Sequence, residues 1–165
     1  MKFHSRDLAL MAVFAALYAV LVLFLSSSSF GLAQVRIADA LIPLSVIFGW
    51  PAVTGVTLGC LIGNVVSPMP SIVTDVSLGA SANFIASVLA WKIAVKKRDS
   101  MISEFLGCTI ATIVITFIVG TYLAMLTEME LWIWWLGIFT GSLISINLIG
   151  YLILQFMKKA GLKVT

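Results

Sequence analysis

Charge is scarce in this sequence. Only 10% of its 165 residues are Asp, Glu, Lys or Arg, against about a quarter in an average soluble domain. Hydrophobic residues make up 61%, and mean hydropathy is +1.14. A water-soluble domain of this size leaves too much of its surface exposed to hide so many apolar side chains. A soluble enzyme, a nucleic-acid-binding domain and a disordered tail are therefore excluded, and the solvent is a lipid bilayer. Histidine is nearly missing: His4 stands alone beside Lys2 and Arg6 and makes no metal site. The two cysteines, Cys60 and Cys108, lie inside apolar runs. They read as small buried thiols, not as a disulfide or a metal site. No phosphate-binding Walker loop, nucleophile elbow or His-Glu-x-x-His pair occurs. The chain is read as a non-enzyme that needs no metal and no cofactor.

What remains is a succession of apolar runs with little between them. They cover Leu8 to Leu25, Ile37 to Gly49, Ala52 to Val66, Val76 to Val95, Phe105 to Leu126 and Leu131 to Met157. About 20 residues cross a bilayer as a helix, so the second and third runs are short. Two parses follow: six membrane helices, or four plus one re-entrant hairpin. Gly49-Trp50-Pro51 between the short runs marks a tight turn, with Pro near the start of the next helix. The first run exceeds the h-region of a signal peptide and is read as a retained helix. The fold class is thus an all-α integral membrane protein, residues 1–165 forming one six-helix domain. Ser26 to Ser29 read as a flexible outer loop.

The basic residues set the orientation. With the N-terminus in the cytoplasm, Lys2, Arg6, Lys92, Lys96, Lys97, Arg98, Lys158, Lys159 and Lys163 all fall inside. Only Arg36 falls outside. Both termini are then cytoplasmic, in a prokaryotic plasma membrane. Asp39, Asp75, Glu128 and Glu130 gather at the outer side.

Few polar groups sit at membrane depth, and each is costly there unless it faces protein or a water-filled cavity. Arg36 and Asp39 share a face at the start of the second run, where they bind a ligand or pair with each other. Asn64 ends the third run, and Asp75 precedes the fourth, where a carboxylate can cap the helix. Asn83 lies two turns further in, and Asn147 needs a partner inside the last run. These six are the candidate substrate-binding residues. Gly55, Gly59 and Gly63 stack on one helical face and allow close packing. Ala9, Ala12, Ala16 and Ala19, with Ala15 adjacent, form a small-residue stripe on the first helix, facing either this chain or a partner protein. Trp132, Trp134 and Trp135 open the last run as interfacial anchors, at least one of them toward lipid.

The stretch Val35-Arg36-Ile37-Ala38-Asp39 leads through Gly55 to Asn64 and on to Thr74-Asp75-Val76-Ser77-Leu78-Gly79. This pattern resembles the QueT-type substrate-binding subunits of energy-coupling factor (ECF) transporters. The family usually has Glu where this chain has Asp39, so the side chain here reaches less far. The resemblance implies a small membrane subunit, an S component, that captures a queuosine precursor (a deazaguanine) from outside. It implies as partners a transmembrane coupling subunit and two ATPase subunits, with Ala12 and Ala16 on the docking face. A stand-alone carrier or channel, or an S component for another vitamin, is the alternative.

The chemistry of a deazaguanine suits these residues. Its N1–H and 2-amino edge matches a carboxylate bidentately, O6 suits Arg or Asn, and an aminomethyl arm suits a second carboxylate. Asp75 is the first choice for the donor edge. Asp39 either meets the ligand cation or holds Arg36. The topology has a direct check: cysteines placed at Ser28 and Glu128 should label from outside the cell, and one at Asp99 only after permeabilisation.

Overall fold

The computed structural model describes residues 4–31, 34–96 and 100–163. Lys2, Lys97, Arg98 and Asp99, invoked above for orientation and labelling, lie outside the described residues. The described residues are mostly helical, with no strand among them. Helix α1 spans Ser5–Phe24, and one further turn, α2, spans Ser26–Ser29. A 3-10 helix, Ile37–Leu44, runs into the short α3, Ser45–Phe48. Then come α4 (Trp50–Gly63), a 3-10 turn (Asn64–Val66), α5 (Ile72–Lys96) and α6 (Met101–Thr127). The last rod is α7 (Leu131–Ser142), a π-helical stretch (Leu143–Gly150) and α8 (Tyr151–Lys159). Four rods are long and apolar enough to cross a membrane: Ser5–Phe24, Ile72–Lys96, Met101–Thr127 and Leu131–Lys159.

The two short runs are explained by their backbone. Eight 3-10 residues and four α residues reach about 22 Å, although Ile37–Phe48 counts only twelve residues. Ala38 to Ile47 are buried throughout, so this irregular segment sits inside the bundle, shielded from lipid as unpaired backbone groups require. Its far end turns at Gly49, whose φ of 58° favours glycine, and Pro51 falls in the first turn of α4. The turn lies beside Arg6, Leu10 and Leu162. The second and third runs therefore reach the same end of the bundle as both termini.

The glycine stripe of α4 packs on α1. A Cβ at Gly55 would stand 2.5 Å from the Cβ of Phe14, and one at Gly59 2.5 Å from that of Tyr18. At Gly63 the nearest atom is Val22 Cβ at 3.0 Å. Residues 14, 18 and 22 thus climb in step with 55, 59 and 63, and the two helices run parallel. Between these helices close packing takes the place of a hydrophobic drive.

Two local expectations change. Ser26 to Ser29 are not a flexible loop: they form a helical turn with Ser29 1% exposed, because its carbonyl accepts a hydrogen bond from Arg36. The alanine stripe divides between two faces. Ala15 and Ala19 are buried, Ala15 against α4, while Ala9, Ala12 and Ala16 are exposed on the outside of the bundle. The cysteines are free and buried, as read.

Gly59→Ala should push α1 and α4 apart, because the new methyl meets Tyr18 Cβ and the Ala15 carbonyl at 2.7 Å. Overpacking of this kind costs about 1–3 kcal/mol, to be seen as a lower melting temperature of the detergent-solubilised protein. Gly31→Ala, with its nearest atom at 3.6 Å, should leave the melt unchanged.

Candidate functional site

Helix α5 starts one turn earlier than the sequence pattern suggested, and this moves Asp75 inside it. Its cap is Ser71, whose hydroxyl accepts from Thr74 N at 3.4 Å. Asp75 is therefore no cap: it points inward, 1% exposed, and its Oδ1 accepts from Tyr122 OH of α6 at 2.5 Å. Asp75, Gly79 and Asn83 recur every four residues and share one face of α5. A Cβ at Gly79 would lie 2.6 Å from Asn64 Nδ2 and 3.3 Å from Tyr122 OH, so glycine is what lets those groups in. Asn64, fully buried, donates from Nδ2 to the backbone carbonyl of Asp75 at 3.1 Å and ties the end of α4 to α5.

A second group lies about 12 Å further along α5, two helical turns on. Asn83 Nδ2 donates to Tyr18 OH at 2.6 Å, and Tyr18 OH donates to Asp39 Oδ1 at 2.5 Å. Asn83 also reaches the same oxygen at 3.5 Å. Arg36, 6% exposed, is held by the Ser29 carbonyl at 3.4 Å, by Cys60 Sγ at 4.0 Å and over the Phe30 ring at 5.4 Å. The direct Arg36–Asp39 ion pair does not form: among the described residues no carboxylate comes within 4.0 Å of Arg36. Arg36 precedes the 3-10 helix in extended backbone, so its side chain leaves in a direction of its own.

Gln34, Arg36, Asp39, Asn83 and Ser142 line a narrow cavity, closed on the apolar side by Ile115, Val119 and Ile138. Its free space is about 10 Å³, room for one water-sized group. Anything larger than a water-sized group enters only when the surrounding elements part. Arg36 Nε, Asn64 Oδ1 and Asp75 Oδ2 are buried without a hydrogen-bond partner. Such orphans are rare in folded proteins because each costs about 1–3 kcal/mol. One donor and two acceptors are therefore available to a ligand.

Five of the six sequence candidates form two groups: Asn64 with Asp75, and Arg36, Asp39 and Asn83 around the cavity. Asn147 does not join them. It lies in the π-helical stretch and is satisfied by α6: Thr112 Oγ1 donates to its Oδ1 at 2.6 Å, and its Nδ2 donates to Thr109 Oγ1 at 3.0 Å. The tryptophans also stay outside the cavity. Trp134 bonds Thr127, Trp135 bonds Thr121, and Trp132 is 61% exposed. Sequence reading missed Tyr18, Tyr122, Gln34 and Ser142. The two tyrosines are the polar aromatics on otherwise apolar helix faces, and that was the available signal.

Residues 8–159 match the QueT transporter family. The chain belongs to that family. No curated protein and no solved structure matches it. The QueT match covers the bundle from the first turn of α1 to the end of α8, and hence every residue of the cluster. The protein is a membrane transporter and not an enzyme. Polar groups buried in an apolar bundle are costly, which makes the cluster the candidate site.

Tyr18→Phe removes a phenol that bridges Asn83 and Asp39. Both partners stay buried and underpaired, at about 1–3 kcal/mol. The variant should melt at lower temperature than the parent. The control Thr140→Val, on the exposed face of α7, should melt with the parent.

Proposed function

We propose that this QueT protein is the substrate-binding S component of an ECF transporter in a prokaryotic plasma membrane. Six segments cross the bilayer, with both termini in the cytoplasm. The Gly49–Pro51 turn beside Arg6 and Leu162 supports full crossings by the two short runs over a re-entrant hairpin. The cluster of Arg36, Asp39, Asn64, Asp75 and Asn83 opens outward and takes a queuosine precursor, a deazaguanine. The single observation that carries this reading is the set of orphaned polar atoms on Arg36, Asn64 and Asp75, buried at the end away from the termini. Asp75 Oδ2 and Asn64 Oδ1 are two acceptors for the N1–H and 2-amino donors of a guanine-like edge, and Arg36 Nε is a donor for O6. The exposed Ala12 and Ala16 supply a flat face on α1 for the coupling subunit, which works with two ATPase subunits.

The test is a binding and assembly experiment. Mass spectrometry of the purified chain should find a copurifying deazaguanine. Titration should show saturable binding of deazaguanines, and not of riboflavin, thiamine or biotin. Asp75→Asn keeps an acceptor for Tyr122 but removes the charge, a loss of about 2–5 kcal/mol for a buried charged contact. Affinity should fall roughly thirtyfold or more. Ala16→Trp should abolish copurification with the coupling subunit and leave ligand affinity within about threefold, since close helix approach tolerates no such volume. Flux by the chain alone in liposomes would instead make it a stand-alone carrier.

A further inference from the structure

A second cavity, of about 330 Å³, lies far from the polar cluster, where the first turns of α1, the Gly49 turn and the segment after α8 meet. Leu10, Phe48, Pro51 and Leu162 give it apolar surface, and Arg6 and Lys163 bring two cations to it. Asp7 is the one carboxylate among the lining residues, and it is engaged. Its Oδ2 accepts from His4 N at 3.0 Å, at a helix N-terminus that stabilises negative charge. Among the described residues no carboxylate comes within 4.0 Å of Arg6 or Lys163, whereas Lys158, at the same end of the bundle, is matched by the buried Glu104. The cavity thus combines unmatched positive charge with apolar surface.

Depth narrows what can fill it. Helix α1 has 20 residues and is about 30 Å long, the thickness of a bilayer's hydrocarbon core. Arg6, in its first turn and exposed, therefore stands at the level of the lipid headgroups. Leu10, Val13, Leu17 and Val20 follow at helical spacing and share one face of α1. The last three are 52%, 47% and 48% exposed. This apolar row leads ten residues away from the cavity, about 15 Å, or half of the core. That is the depth of one leaflet. A soluble anion gains nothing from such a row, and a lipid without net charge gains little from Arg6 and Lys163. An amphiphile with an anionic head uses both.

We infer that an anionic phospholipid occupies this cavity, its phosphate held by Arg6 and Lys163 and an acyl chain lying along Leu10, Val13, Leu17 and Val20. The site shares no residue with the cluster around Asp39 and Asp75. It rests on the membrane setting alone, and neither the identity of the solute nor the side on which the termini lie enters the argument.

The experiment is native mass spectrometry of the full chain in a nonionic detergent, titrated with dioleoylphosphatidylglycerol or dioleoylphosphatidylcholine. The phosphatidylglycerol should bind about tenfold more tightly or better. Arg6→Gln and Lys163→Gln should each weaken it about fivefold, the effect of one basic side chain beside an anionic lipid, and leave phosphatidylcholine within about twofold. Lys92→Gln, which removes an exposed cation on α5 outside the cavity, should change neither lipid. Lys163→Gln lies beyond the last helix and is the decisive variant if Arg6→Gln fails to fold. Glycerol 3-phosphate, the head without its chains, should not compete. Equal binding of the two lipids, or an equal loss in Lys92→Gln, would overturn the site in favour of diffuse attraction. Competition by glycerol 3-phosphate would make it a soluble-anion site instead. Each of these results leaves the deazaguanine titration to be decided on its own.

Discussion

Tyr18 reaches Asp39 only because α1 and α4 touch at their backbones. Gly55, Gly59 and Gly63 remove every side chain that would hold the helices apart, and Phe14, Tyr18 and Val22 settle into the space. With the helices in that register, the Tyr18 phenol is fully buried and presented to Asn83 and Asp39. A larger residue at position 59 would move the phenol away from the carboxylate. The candidate site is thus tied to a contact between the backbones of α1 and α4.

Two irregular stretches face each other beside this contact. The 3-10 helix Ile37–Leu44 packs on the π-helical stretch Leu143–Gly150. Glycines make the approach possible: a Cβ at Gly150 would lie 2.8 Å from the Ala40 carbonyl, and Gly141 does the same for Gln34. Irregular backbone is tolerated at membrane depth only inside protein or along a cavity, and π-helical turns recur at functional sites. Here Asp39 of the 3-10 helix and Ser142, one residue before the π-helical stretch, both line the cavity.

The two ends of the bundle follow one rule to different results. Toward the end that holds the termini, Glu104, Gln155 and Lys158 satisfy one another, as do Asn147, Thr109 and Thr112. Those contacts join α6 to the last rod. At the opposite end Tyr18 donates to Asp39 and Tyr122 to Asp75, and Asp75 Oδ2 is left without a partner. A buried polar group left unpaired in an apolar bundle is costly; among the described residues Arg36, Asn64 and Asp75 carry such atoms, as do the hydroxyls of Ser29 and Ser87.

Much of this was legible in the sequence. Composition alone required a bilayer, six apolar runs marked the elements, and Gly49-Trp50-Pro51 marked the turn between the short ones, because hydropathy and backbone preference act locally. Arg36, Asp39, Asn64, Asp75 and Asn83 stood out for the same reason: a polar residue in an apolar run is costly wherever it lands. What a sequence cannot state is which partner relieves that cost. Asp75, first choice for the ligand and also able to cap α5, is no cap and is held by Tyr122, 47 residues away. Asn147 looked like a site residue and is held by Thr112, 35 residues away. Arg36 and Asp39, three apart, do not pair, whereas Tyr18 and Asp39, 21 apart, do. The sequence determined which groups needed partners, and only the packing of distant helices decided which of them were left without one.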